Sequence, residues 1–122
     1  MKEQLISFET DKLAKEKGFN ISCWNYYGTY PNESNTLNES GIKLDVNNSY
    51  WGYNAPTQSL LQKWLREEHN IRVFCIPSVV DSVDKYWQSV VYRQSQTVFT
   101  TKDIMKYEEA LEKGLQEALT LI

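Results

Sequence analysis

The stretch IMKYEEALEKGLQEALTLI, from Ile104 to Ile122, decides how this chain builds its core. Within it Ile104, Tyr107, Leu111, Leu115, Ala118 and Ile122 recur at steps of three and four, the spacing of one face of a 3.6-residue helix. Glu108, Glu109, Glu112, Lys113, Gln116 and Glu117 fall on the other faces, so the segment reads as an amphipathic helix laid on a sheet. Asp103 or Thr101 supplies the side-chain oxygen expected to cap its first turn. Gly114 stands in the interior, where glycine costs about 1 kcal/mol relative to alanine, and close approach of another backbone is the expected reason for it.

Working back from that helix, the second half supplies the sheet. Pro56 holds Ala55 extended and Thr57 is placed to cap a helix running to His69, with an inward stripe of Leu60, Leu61, Trp64, Leu65 and Glu68. Asn70 is suited to the left-handed turn that ends it. Ile71 to Ile76 is a strongly apolar strand expected at the centre of the sheet, with Pro77 halting its pairing and Ser78 to Asp84 forming a loop. Lys85 to Arg93 alternates, with Tyr86, Gln88, Val90 and Tyr92 on one face and Trp87, Ser89 and Val91 on the other. Arg93, Gln94, Ser95 and Gln96 read as a polar turn before a short apolar piece at Val98 and Phe99. The expected class is α+β: a small antiparallel sheet packed by helices, the second half ordered helix, strand, strand, a further short strand, helix.

Upstream, Ser7 to Gly18 reads as a short helix. Ser7 caps it, Glu9 and Asp11 lie near its positive end, and Lys12, Lys15 and Lys17 lie toward its negative end. Its inward stripe of Ile6, Thr10, Leu13 and Ala14 is narrow, which places it at the edge of a core. From Asn20 to Asn54 the composition turns to asparagine, serine and aromatics, with eight asparagines in that span. Ile21 to Tyr27 and Ile42 to Val46 read as two strands of a hairpin, joined by a long connection marked by Gly28, Pro31, Asn32, Asn35, Asn38 and Gly41. Asparagine side chains compete with ladder hydrogen bonds, so irregular backbone is expected at about 28–54.

The 122 residues fit a single domain, residues 1–122, with a core of globular composition: 41% hydrophobic, 13% aromatic and 24% charged. A net charge of −3 supplies no broad positive field, and the three arginines, Arg66, Arg72 and Arg93, are few, so nucleic-acid binding is disfavoured. Lys2, Glu3 and Gln4 follow Met1 where a leader would be apolar, and no run approaches the roughly 18 apolar residues of a membrane helix. These features set the expectation of a cytoplasmic protein without membrane contact. In a reducing compartment Cys23 and Cys75, far apart and at no metal spacing, read as small buried hydrophobes.

The segments APTQSLLQKWLREEHNI, Ala55 to Ile71, and YEEALEKGLQEALTLI, Tyr107 to Ile122, resemble a family of small uncharacterised proteins encoded by bacteria and their prophages. The resemblance covers a little over half the chain. It implies that the same helix and strand are joined to a YEEALE-type closing helix through a strand pair, and it implies no activity. The order of elements in the second half also looks like the double-stranded RNA-binding fold. That fold grips phosphates with lysines at the start of its last helix, where this chain has Glu108 and Glu109.

Few residues point to chemistry. His69 is the only histidine, and no spacing brings it to Cys23 or Cys75 as a nucleophile pair. One histidine and two separated cysteines fall short of a zinc site, Asp81 with Asp84 is too sparse for calcium, and the glycines are not clustered as a phosphate loop. Glu67 and Glu68, like Glu108, Glu109 and Glu112, read as solvated helix faces. The asparagine sequons at Asn20, Asn32, Asn38 and Asn47 carry no further meaning without a secretory signal. No catalytic, cofactor or metal residue is assigned, and the chain is expected not to be an enzyme. The remaining cluster, Trp24, Tyr26, Tyr27, Tyr30, Tyr50, Trp51 and Tyr53, is either the core of one sheet face or an interface, since aromatics with a polar handle suit both. Within it Trp24 and Trp51 are expected inward and several tyrosines at a rim. The expected function is a non-catalytic module that binds a protein partner or itself through Tyr26, Tyr30, Tyr50, Trp51 and Tyr53. The alternative is a nucleic-acid-associated prophage protein using Lys63, Arg66, Arg72 and Arg93.

Overall fold

The computed structural model describes residues 4–29, 32–46 and 52–122. Its elements are helix α1 (Phe8–Glu16), strands β1 (Cys23–Thr29), β2 (Asn32–Leu44) and β3 (Tyr53–Ala55), helix α2 (Gln58–His69), strands β4 (Ile71–Val80), β5 (Val83–Arg93) and β6 (Gln96–Thr100), and helix α3 (Tyr107–Thr120). The class is α+β, with two antiparallel three-stranded sheets ordered β2-β1-β3 and β4-β5-β6. The chain divides into two compact units, Met1–Thr57 and Gln58–Ile122, each with one sheet.

In the first unit, Ser7 caps α1 by accepting a hydrogen bond from the Thr10 backbone N–H at 3.3 Å, and Gly18 ends the turn beyond it at φ +97°. The face of α1 that turns inward holds Thr10, Asp11 and Ala14. Alternation along β1 buries Cys23 and Tyr27 and turns Trp24 out. The ring of Phe8 meets Tyr27 and Tyr53 edge-on at 5.5 and 5.6 Å between centroids, the favoured geometry for opposed ring quadrupoles. The Tyr27 hydroxyl donates to the Ile6 carbonyl at 2.8 Å, so its polar end is satisfied inside.

Of the asparagine-rich segment expected as a hairpin with a long irregular connection, most of the described residues are strand. β2 has thirteen residues against seven in β1, and the surplus is absorbed by two register shifts, each setting five residues of β2 against two of β1. β3 is an added strand within that same segment. It pairs with the other edge of β1, through Asn25 with Ala55 and Tyr27 with Tyr53. Asn54, fully buried and opposite Tyr26 in this ladder, also joins its surroundings by its side chain. Its Oδ1 accepts from the Val46 N–H at 2.7 Å, and its Nδ2 donates to the Ile21 carbonyl at 2.8 Å and to Asp45 Oδ1 at 3.0 Å.

The second unit is a more regular structure. β4 and β5 keep one register from Ile71 opposite Arg93 to Ser78 opposite Tyr86, and β6 adds to the far side of β5. Two-residue turns join the strands, with Asp81 and Ser82 at φ 49° and 65°, and Gln94 and Ser95 at 55° and 63°. Positive φ at both central residues marks the turn whose twist matches paired strands, here built without glycine. Cross-strand partners share a face, so Ile71, Val73, Cys75, Ser89 and Val91 lie together. On this face α3 packs, with α2 alongside α3 and along β4. Gln58 fastens the two helices, its Nε2 donating to the Glu108 carbonyl at 2.8 Å and to Glu112 Oε1 at 3.0 Å.

Three expectations for the strands of this half are corrected. Ile71 to Val80 is an edge strand, not the centre, because β5 takes the middle with partners on both sides. Pro77 does not halt it: Pro77 stands opposite Trp87 in the ladder. The Val73 carbonyl accepts from Gln62 Nε2 at 2.8 Å and so faces away from β5. Pro77, four residues on in the same phase, has its missing N–H on that outer side, where no ladder bond is lost. The segment from Ser78 to Asp84 is hairpin rather than loop.

The buried stripe of α3 is Ala110, Leu111, Gly114, Leu115, Ala118 and Leu119, rotated from the expected one, and Tyr107 is 39% exposed. Neither Thr101 nor Asp103 caps the helix. Thr101 Oγ1 accepts from the Ser89 N–H at 2.9 Å, Asp103 Oδ1 accepts from Ser78 Oγ at 2.5 Å, and Lys106 occupies the cap without a side-chain bond. Ile104 lies ahead of the helix and pairs with Trp87 as an extension of the sheet. Gly114 is indeed a close-approach position, though against side chains: a Cβ there would lie 2.7 Å from Ser89 Oγ and 2.9 Å from both Ser89 Cβ and Val73 Cγ1.

Candidate functional site

The tyrosine cluster expected at an interface is only partly present as a surface. Tyr53 is 5% exposed and belongs to the core of the first unit. Its ring is met by Phe8 and lies 4.6 Å beneath the Lys15 ammonium, which also donates to the Gly52 carbonyl at 2.8 Å. Tyr26 is half-buried on β1. Tyr30, Tyr50 and Trp51 lie outside the described residues. Trp24, expected inward, is 51% exposed, because alternation along β1 commits Cys23 and Tyr27 to the core and leaves Trp24 on the other side.

A larger apolar surface lies on the second unit, on the face of the sheet that carries no helix of that unit. Its ladder pairs are Arg72 with Tyr92, Phe74 with Val90, Ile76 with Gln88, Ser78 with Tyr86 and Val80 with Val83. Phe74 is 41% exposed, Ile76 37% and Val83 42%, while Tyr86, Gln88 and Tyr92 are half-buried and Val90 is buried. Arg72 is the one charged side chain among these ten positions. Exposed apolar residues scattered singly need no explanation, but here they form a row along one ladder.

Sequence reasoning missed this row because β4 is apolar on both faces, which reads as a strand covered on both. A usable signal was present: the two helices flanking that strand pattern are amphipathic with one apolar stripe each, enough to cover one face of a three-stranded sheet.

The groups weighed for chemistry face separate partners. The His69 ring packs edge-on against Trp64 at 4.6 Å. The Cys75 thiol lies 3.9 Å from the Tyr107 carbonyl, and Tyr107 meets Trp87 edge-on at 5.1 Å. Burial, with the Glu108 carboxylate adding to it, pushes the Cys75 thiol up to about 11. Burial, then the Asp11 carboxylate, pushes Cys23 up to about 12. Both thiols are free and held in the protonated, unreactive form at neutral pH. Burial also raises the Tyr107 phenol. Among the described residues no group of three histidine, cysteine, aspartate or glutamate side chains is placed to hold a metal ion, and no helix is long and apolar enough to cross a membrane.

The four basic residues considered for nucleic acid do not share one surface. Lys63 and Arg66 are exposed on α2, on the helix side of the sheet, and Arg72 is on the opposite side. Arg93 Nη1 donates to the Leu121 carbonyl at 3.3 Å. No family model, curated protein or solved structure matches this chain.

Proposed function

We infer that this protein is a non-catalytic interaction module that works by binding protein through the helix-free face of the β4-β5-β6 sheet. The observation that carries the reading is the row of Phe74, Ile76 and Val83 left open along one ladder. Open aromatic and aliphatic side chains with tyrosines at their margin are the composition of the buried centre of an interface. This moves the expected contact surface from the tyrosines of the first unit to the second, with the exposed Trp24 and the half-buried Tyr26 as a separate, smaller aromatic pair. The two free thiols, held protonated, suit a reducing compartment, so the same proposal sets the module in the cytoplasm. Membership of the prophage-encoded family is part of it too, resting on the helix and strand from Ala55 to Ile71 and the closing helix.

Photo-crosslinking in the cells that make the protein tests the reading. A benzophenone amino acid at Phe74 is expected to yield discrete protein adducts that vanish in an Ile76→Glu background and do not form from Glu117, on the far side of the unit. Adducts to RNA or DNA instead would favour the nucleic-acid alternative, and adducts equal from both positions would remove the docking face altogether.

A further inference from the structure

Taking the helix-free face as a docking surface, we propose that its occupant is the same face of a second copy of this chain, packed antiparallel about a two-fold axis. The argument comes from the order of side chains along the β4–β5 hairpin. At its base this face carries Arg72, opposite Tyr92. At its tip stand Asp81, Asp84 and Lys85, all exposed, a net negative end. Between them the face presents Phe74, Ile76, Val80, Val83 and Tyr86, without a charge. The hairpin is therefore positive at one end, apolar along its middle and negative at the other.

Such a surface is complementary to itself only when turned end for end. A two-fold axis through the middle of the ladder lays Phe74 and Ile76 of one copy on those of the other, and brings each tip over the partner's Arg72. Parallel stacking would set like charges together at both ends. Two sheets packed face to face at about 10 Å with nearly aligned strands is also an ordinary arrangement for antiparallel sheets open on one side.

Size sets the expected strength. Ten residues of β4 at about 3.4 Å each span about 34 Å, and two to three strands give a face on the order of 400 Å² per copy. That is roughly half of the ~800 Å² per partner of a standard stable interface, so a weak dimer populated only at high protein concentration is expected. Exposed charges at both ends make it weaker at high salt.

Sedimentation equilibrium on the full chain, from 10 μM to 1 mM at low and high salt, reads the proposal. The expected result is a monomer–dimer equilibrium in the upper part of that range, loosened by salt and abolished by Ile76→Glu. A second set of variants leaves the apolar row untouched. Arg72→Asp alone and the pair Asp81→Lys with Asp84→Lys should each weaken the dimer about tenfold, whereas all three changes in one chain should restore it, since each end then meets its reversed partner. A monomer throughout, association indifferent to Ile76→Glu, or a triple variant no better than its parts would overturn the self-pairing. If Phe74 crosslinks to a different protein while the chain stays monomeric at 1 mM, the docking face stands and the second copy as occupant is wrong. If neither crosslinks nor dimers form, both fail.

Discussion

Strand β5 meets β4 in one unbroken register across eight consecutive pairs, from Ile71 opposite Arg93 to Ser78 opposite Tyr86, while β1 meets β2 in a register that slips by three residues at two places. The regular ladder is closed by two-residue turns and by a helix face of Leu111, Leu115, Ala118 and Leu119. The irregular one is closed by side-chain amides, with Asn54 standing in for ladder bonds to Val46 and Ile21 and bonding the Asp45 carboxylate. The difference teaches that apolar alternation holds one sheet and a buried polar network holds the other. A network of that kind fails sharply when one member is lost.

The largest expected effect follows from that contrast. Asn54→Ala leaves a buried Val46 N–H and Ile21 carbonyl without their amide partner, a loss of about 2–4 kcal/mol in urea unfolding. Hydrogen exchange should rise in peptides of the first unit and change little in those of the second. Equal protection before and after would show that the network does not hold the irregular sheet.

A smaller loss is expected where the regular sheet is tightest. Gly114→Ala pushes a methyl into Ser89 and Val73, costing about 1–3 kcal/mol of overpacking, against about 1 kcal/mol regained from helix propensity. Ser89→Gly in the same chain should recover most of the net loss, since two of the three close atoms then disappear. A melting curve unchanged by Gly114→Ala would mean that helix and sheet are not in close contact there.

The smallest effect concerns the two thiols, one in each unit. At pH 8 both should alkylate far more slowly than an unfolded thiol, and Cys75 about tenfold faster than Cys23, because the lower of the two raised values gives the larger thiolate fraction. The sign for stability is fixed by the direction of the shifts. Below the ordinary thiol value of 9.0 both states keep their protons and the contribution is fully present. As pH rises through 11 and 12 the unfolded chain ionises first, so stability falls. Replacing both cysteines by serine should flatten that alkaline slope, and a slope unaltered by the change would assign it elsewhere.

Most of the second unit was legible because its signals are local. The buried Leu61, Trp64 and Leu65 of the expected α2 stripe (Glu68, expected with them, is exposed), Asn70 at φ 54° and the alternation of β5 each reflect a period or a single backbone requirement. What escaped depends on distant partners. The central or edge place of Ile71 to Val80 is decided by where β6 docks, and the rotation of the α3 stripe by which of Ala110 and Tyr107 meets the sheet. Thr101 and Asp103 looked like caps by residue type, yet the Ser89 N–H and Ser78 hydroxyl engage them first. In the first unit the asparagines were read as loop formers, and at Asn54 the same hydrogen-bonding appetite that breaks ladders instead builds a buried junction. The candidate face was the least legible feature, since nothing in IRVFCI distinguishes a strand covered on both sides from one left bare on one.

Pro77 gives that bare face a safeguard. An apolar strand at a sheet margin is a template on which further chains can add without limit and grow into fibrils. A ring nitrogen that offers no proton at the outer margin of β4, together with the Val73 carbonyl already engaged by Gln62, interrupts the template while leaving the flat of the sheet unobstructed. Growth by the margin is thereby discouraged and meeting by the flat is not, which is how a chain can keep sticky surface and still end its assembly at a finite number of copies.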